Sequence, residues 1–164
     1  MKREKLFLIC PDCHLEQTLR NEFGQEIYIL TALGSVFDFS EFDYVETLHH
    51  FLNRERIAEI VLVNDVDCAF IRNAIYQENR YHTKAEQELS RLKKNNVEKF
   101  ASLETNEQKK LLAKLNIYRQ AYELLNAVFI GSEIDNRSIR TSGLICNRDK
   151  SKFEHLMLEN IIVQ

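Results

Sequence analysis

The sequence has few of the residues that break helices, with four Gly, one Pro and no Trp in 164 residues. So few turn formers argue against an all-β sandwich built on many tight turns, and they favour long helices around a small sheet. Apolar residues make up 45% and charged residues 29%, a composition that excludes a disordered chain. The length predicts one domain over residues 1–164.

The sequence also lacks a charge excess of one sign and a long apolar run. Its net charge of −3 gives no electrostatic footprint for nucleic acid or an anionic membrane. No apolar run approaches the ~20 residues of a membrane-spanning helix, and no signal-peptide core follows the first residues. We therefore expect a cytoplasmic protein without nucleic-acid or membrane partners, in which cysteines are free thiols or metal ligands.

Three short apolar runs in the first half of the chain predict β-strands. They cover residues 5–10, 26–31 and 57–63. The third is apolar almost throughout, which is typical of a parallel strand covered on both faces. A helix of period 3.6 is predicted between the first two runs, with Gly24 as its left-handed stop. A second helix is predicted to start after Ser40 as N-cap.

The second half of the chain predicts helices followed by a hairpin. Residues 71–126 contain no Gly or Pro and predict two or three helices, with Thr105 and Gln108 at the spacing of a capping box. Residues 138–146 alternate as a strand, and residues 153–158 predict either its hairpin partner or a final helix. The order of elements predicts a three-layer α/β fold with a mainly parallel four-stranded sheet and a terminal antiparallel strand.

Residues with metal-binding side chains follow two of the predicted strands. Cys10, Asp12, Cys13 and His14 follow the first strand, and Asp65, Asp67 and Cys68 follow the third. In parallel sheets the chemistry gathers at the carboxyl ends of strands. Because thiolate, imidazole and carboxylate groups are the ligands of zinc, these two loops predict a metal site.

The two loops resemble the motifs of one enzyme family. Residues 10–14, Cys-Pro-Asp-Cys-His, resemble the Cys-x-Asp-Ser-Arg motif of β-class carbonic anhydrases. Residues 64–68, Asn-Asp-Val-Asp-Cys, resemble that family's Gly-His-Thr-Asp-Cys-Gly, and Gly34 falls where the family has an Ala-Gly-Asn turn. The resemblance runs over nearly the whole chain and implies a zinc-dependent lyase that interconverts carbon dioxide and bicarbonate, and a homodimer.

Site residues can be transferred position by position from this resemblance. Cys10 and Cys68 match the zinc-binding cysteines, and Asp65 stands where the family has its zinc-binding histidine. The implied metal set is therefore Cys10, Asp65 and Cys68. Asp12 matches the aspartate of the catalytic dyad, while His14 replaces its arginine. Cys13 stands in the place of the motif's serine, so Cys10, Cys13 and Cys68 with one carboxylate form a second reasonable zinc set.

The departures from the motifs predict weak or absent carbon dioxide hydration. A carboxylate in place of the histidine adds negative charge to the zinc site, which disfavours ionisation of a bound water. His14 can replace the dyad arginine only when protonated, and the ordinary pKa of histidine is ~6.5.

Two other function classes stay open at this point. One is a catalytically silent relative that acts in binding or assembly. The other is a redox protein, because Cys10 and Cys13 form a Cys-x-x-Cys pair between a strand and a helix. Cys146 lies within a predicted strand, and we expect it to be a core residue.

Overall fold

The computed structural model describes residues 4–148 and 152–158, and in it five strands form one sheet. The strands are β1 (Glu4–Ile9), β2 (Tyr28–Thr31), β3 (Ile57–Asp65), β4 (Arg140–Asn147) and β5 (Lys152–Met157). Their order is β2-β1-β3-β4-β5, with β1 to β4 parallel and β5 antiparallel to β4. The predicted mainly parallel sheet with a terminal antiparallel strand is confirmed.

Helices cover both faces of this sheet. Those in the described part of the chain are α1 (Glu16–Phe23), α2 (Phe42–Arg54), α3 (Ala69–Ile75), α4 (Lys84–Lys94), α5 (Val97–Phe100), α6 (Thr105–Leu125) and α7 (Ile130–Arg137). Gly24 ends α1 with a φ of 105°, as the sequence predicts. None of these helices has the length and apolar character that crossing a bilayer requires.

Helix starts differ from the sequence predictions by one residue. The capping box of α6 consists of Glu104 and Glu107 instead of Thr105 and Gln108, because Glu104 has the extended backbone of an N-cap. The N-cap of α2 is Glu41, while the Ser40 hydroxyl donates to the Asp38 carboxylate. Helix α7 has no counterpart among the predicted elements.

The core lies on both sides of the sheet because neighbouring residues of a strand point to opposite faces. Phe7 and Val61 pack on the side of α1, α3 and α4. Leu6 and Ile60 pack on the other side, against α2 and α7. Helix α6 contributes to both clusters. This two-sided burial explains why β3 is apolar almost throughout.

Candidate metal centre

The first cysteine pair is arranged by a single turn of 3-10 helix that follows β1. Cys10 is the N-cap of the turn Pro11–Cys13, and proline suits the first helical position because its φ is already fixed. The Cys13 N–H donates to the Cys10 carbonyl at 3.2 Å. His14, with a φ of 51°, ends the turn. Both cysteines are thereby directed into the core, where each is 1% exposed.

The third cysteine follows β3, which lies parallel to β1 with Leu8 opposite Leu62. Asp65 at the strand end accepts the Asp67 N–H on Oδ1 at 2.8 Å, a local carboxylate turn. Cys68 is then the N-cap of α3 and is fully buried. Because β1 and β3 are adjacent, the two loops meet at the same edge of the sheet.

The Sγ atoms of Cys10, Cys13 and Cys68 all lie within 4.8 Å of one another. The structure thus brings together the two cysteines of the predicted metal set, and it adds Cys13 as a third thiol. Tetrahedral zinc with Zn–S bonds of about 2.3 Å needs sulfur atoms about 3.8 Å apart. The thiol cluster is compatible with that spacing after small adjustments, and three thiolates suit a soft ion such as zinc.

Hydrogen bonds concentrate the negative charge of this cluster on Cys10. The Cys13 and Cys68 thiols and the backbone N–H groups of Asp12 and Gly34 lower the pKa of Cys10, with Cys13 the largest cause. The Gly34 N–H lies 3.2 Å from Cys10 Sγ. The same contacts with Cys10 raise the pKa of Cys13, and they raise that of Cys68 to about 12. Because zinc is bound by thiolates, metal binding to this cluster would release protons from the thiols.

A buried amide network holds the turn that carries Gly34. The Gly34 carbonyl accepts from Asn116 Nδ2 at 3.2 Å and from Asn64 Nδ2 at 3.5 Å. Gly34 has a φ of 65°, and an added Cβ would lie 3.3 Å from side chains of α3 and α4, so glycine is required. Asn116 is fully buried in α6, and its role is not found from sequence.

Asp65, predicted as a metal ligand, occupies a different environment from the three thiols. Its carboxylate is fully buried, and Oδ2 lies 2.6 Å from Arg148 Nε. It is not a member of the group of ligand atoms within 4.8 Å. Arg148 also donates from Nη1 to the Cys13 carbonyl at 2.9 Å. Nothing in the sequence distinguishes Arg148 from the other polar residues of its turn.

The two residues predicted as the catalytic pair lie on the outside of the 3-10 turn. The side chains of Asp12 and His14 are exposed, and their catalytic roles stay predictions. Cys146 is buried in β4 opposite Asp65, and it lies outside the thiol cluster. Burial and the charge of Asp65 raise the pKa of Cys146, as expected for a core thiol.

No family model and no curated protein matches the sequence. Solved structures match it closely. The β-carbonic anhydrase CafA of Aspergillus fumigatus superposes with a TM-score of 0.83 at 16% identity, over 99% of this chain and 77% of that chain. CafD of the same fungus gives 0.79 at 18% identity, over 95% of this chain and 90% of that one. One of two tetrameric β-carbonic anhydrases from Sordaria macrospora gives 0.80 at 16% identity, over 94% and 80%. At these identities the likeness shows the fold.

Proposed function

We propose that this chain, which has the β-carbonic anhydrase fold, is a metal-binding protein that holds one zinc ion through Cys10, Cys13 and Cys68. The observation that carries the proposal is the convergence of three buried thiols within 4.8 Å of one another. When bound, zinc would supply a Lewis acid with a fourth position open to a small ligand. The protein's own contribution is to hold the thiols together and to exclude water.

Within this proposal, carbon dioxide hydration is weak or absent. Three thiolates carry more negative charge than zinc neutralises, which reduces the pull of the ion on a ligand in the fourth position. Arg148 contacts the first cysteine loop, but its Nε is paired with the Asp65 carboxylate. His14 is exposed, so it supplies no buried cation either.

The test compares variants of two buried cysteines. Cys13→Ser removes a thiol of the cluster, whereas Cys146→Ser removes a thiol outside it. We expect one zinc per chain in the wild type and in Cys146→Ser after dialysis against buffered zinc, and less than half of that in Cys13→Ser. A wild type without zinc, or equal zinc in the two variants, would contradict the proposal.

Stopped-flow hydration of carbon dioxide between pH 6 and 9 tests the second part. We expect zinc-loaded protein to add little to the uncatalysed rate, and efficient turnover would contradict this expectation. If a residual rate is found, Asp12 and His14 are the proposed proton-handling pair. Asp12→Asn should then abolish the rate without loss of zinc.

The thiol distances also favour one second candidate, a dithiol redox function of Cys10 and Cys13. Their Sγ atoms lie within 4.8 Å, and the pKa of Cys10 is lowered. Titration with oxidised dithiothreitol tests it, because a redox pair would form an intramolecular disulfide at a defined potential.

We propose as a third candidate that the chain has no catalytic activity and acts in binding or assembly. In that case we expect a cytoplasmic homodimer that binds neither nucleic acid nor membrane.

A further inference from the structure

Arg148 contacts both of the loops that carry the cysteines. Its Nη1 donates to the Cys13 carbonyl at 2.9 Å, and its Nη2 donates to the Asp67 carbonyl at 3.4 Å. Its Nε lies 2.6 Å from Asp65 Oδ2. One guanidinium group thus joins the turn after β1 to the turn after β3.

These contacts bear directly on the thiol positions. Cys13 is itself the acceptor residue in the first loop, and Asp67 immediately precedes Cys68 in the second. The Asp65 carboxylate is fully buried, and a buried carboxylate is costly unless a cation faces it. The ion pair therefore fixes the guanidinium, and the guanidinium fixes the two carbonyl groups.

We propose that Arg148 is a positioning residue of the thiol site and that Asp65 is its anchor, not a metal ligand. The affinity part of this inference rests on the proposed zinc function. The planar guanidinium has donors in a fixed fork, so it can serve three acceptors at once, which a lysine ammonium does with less geometric precision. Partners that orient ligands in this way commonly change metal affinity 10–100-fold.

The experiment compares Arg148→Gln and Arg148→Lys with a matched control, Arg140→Gln. Arg140 begins β4, and its Nη2 lies 2.9 Å from Glu59 Oε2 at the opposite end of the sheet. Zinc affinity is measured by competition with a chromophoric chelator, and the number of thiolate ligands is measured from the charge-transfer absorption of the cobalt(II) form. We expect Arg148→Gln to raise the zinc Kd about 10–100-fold and to reduce the thiolate-to-cobalt absorption, with partial rescue by lysine. Arg140→Gln should stay within twofold of the wild type.

The sign of the change distinguishes an anchor from a ligand. If Asp65 were a ligand, Arg148→Gln would free its carboxylate, and zinc would bind as tightly as before or more tightly. That result would overturn the inference, as would unchanged cobalt absorption. If Arg148→Gln does not fold, Asp65→Asn keeps the volume and an oxygen for the Asp67 N–H, and it should reduce the thiolate-to-cobalt absorption; weaker metal binding with unchanged absorption would identify Asp65 as a ligand and overturn the inference.

A metal-free measurement separates this inference from the zinc proposal. Alkylation of Cys13 by iodoacetamide, located by peptide mass spectrometry, reports whether the first loop is held in place. We expect Arg148→Gln to speed this reaction at least tenfold and Arg140→Gln to leave it unchanged. A wild type that binds no zinc but shows this difference would refute the zinc proposal alone, whereas equal rates would refute the positioning role.

Discussion

Strand β3 carries a buried carboxylate near each end, and the two serve different purposes. Near the amino end, Glu59 Oε2 lies 2.9 Å from both Lys5 Nζ and Arg140 Nη2. At the carboxyl end, Asp65 Oδ2 lies 2.6 Å from Arg148 Nε. The first carboxylate joins side chains of β1, β3 and β4, which are already paired by the sheet. The second faces the Arg148 guanidinium, which contacts carbonyl groups in the two loops that carry the thiols.

The cations are partly exposed at both ends, but the surroundings of the two carboxylates differ. The side chains of Lys5 and Arg148 are 34% and 36% exposed and that of Arg140 is 59% exposed, so water partly screens the ion pairs at both ends. Asp65 lies beside the cysteine loops, whereas Glu59 lies near the opposite end of the strand. Substitutions at the amino end should therefore change stability and leave the metal site intact, whereas substitutions at the carboxyl end should change metal binding.

The largest effect is expected for Cys68→Ser at the carboxyl end. Structural zinc sites contribute about 10–16 kcal/mol, so the loss of one of three thiolates should raise the zinc Kd about a thousandfold or more. Competition with a chelator measures this change, and Cys146→Ser is the control for a buried cysteine outside the cluster. A Cys68→Ser variant that keeps wild-type affinity would show that the carboxyl end does not hold the metal.

A smaller effect at the same end is expected for Asn116→Leu. Its Nδ2 donates to Asn64 Oδ1 at 2.8 Å and to the Gly34 carbonyl at 3.2 Å. Leaving such buried groups unpaired should lower the free energy of unfolding by about 2–3 kcal/mol. The loosened Gly34 turn should also weaken zinc binding about tenfold. Urea unfolding measures the free energy of unfolding, and zinc competition on the same sample measures the zinc Kd. A wild-type zinc affinity would show that the amide network does not support the metal site.

Glu59→Gln tests the amino end and should have a modest effect on stability alone. The Glu59 carboxylate also accepts from the Ser142 hydroxyl at 2.9 Å, and the amide loses its charge-assisted bonds. Because the facing cations are partly exposed, we expect a loss of about 1 kcal/mol in urea unfolding. Zinc content should not change, and a loss of zinc would break the contrast between the two ends.

The smallest effect is a pH dependence that belongs to Glu59. Burial raises the pKa of Glu59, but hydrogen bonds from Lys5, Arg140 and Ser142 outweigh it, so the pKa is lowered overall. A carboxyl group of this kind stabilises the fold above its unfolded pKa of ~4.3, and the stabilisation disappears as pH falls through the folded pKa. The stability difference between wild type and Glu59→Gln should therefore shrink between pH 6 and pH 3. A constant difference would assign the effect to packing.

The sheet and the thiol loops are predictable from sequence because their signals are local. The apolar run of β3 and the Cys10 and Cys68 motifs each lie within a few residues, and parallel pairing then brings the two loops to one edge. The observed strands begin and end within two residues of the predicted positions for β1 and β3. The bounds of these two strands are predictable because a buried strand tolerates few polar residues, so its apolar run ends close to where the strand ends.

The partners of the site are not predictable in this way because they are distant in sequence. Arg148 lies 135 residues from the Cys13 carbonyl that it contacts, and Asn116 lies 82 residues from Gly34. No local period or motif specifies such contacts, which arise only when β4 and α6 pack against the loops. The environment of Asp65 follows from the same fact, because its neighbour Arg148 comes from the end of β4.

Zinc K-edge X-ray absorption on the zinc-loaded protein tests the central claim most directly. Three thiolate ligands predict three sulfur scatterers at about 2.3 Å, with one lighter atom completing the coordination shell. Cys13→Ser should reduce the count to two. A wild-type spectrum with two sulfur atoms and two nitrogen or oxygen atoms would contradict the three-thiol site. It would instead favour the set of Cys10, Asp65 and Cys68 as ligands.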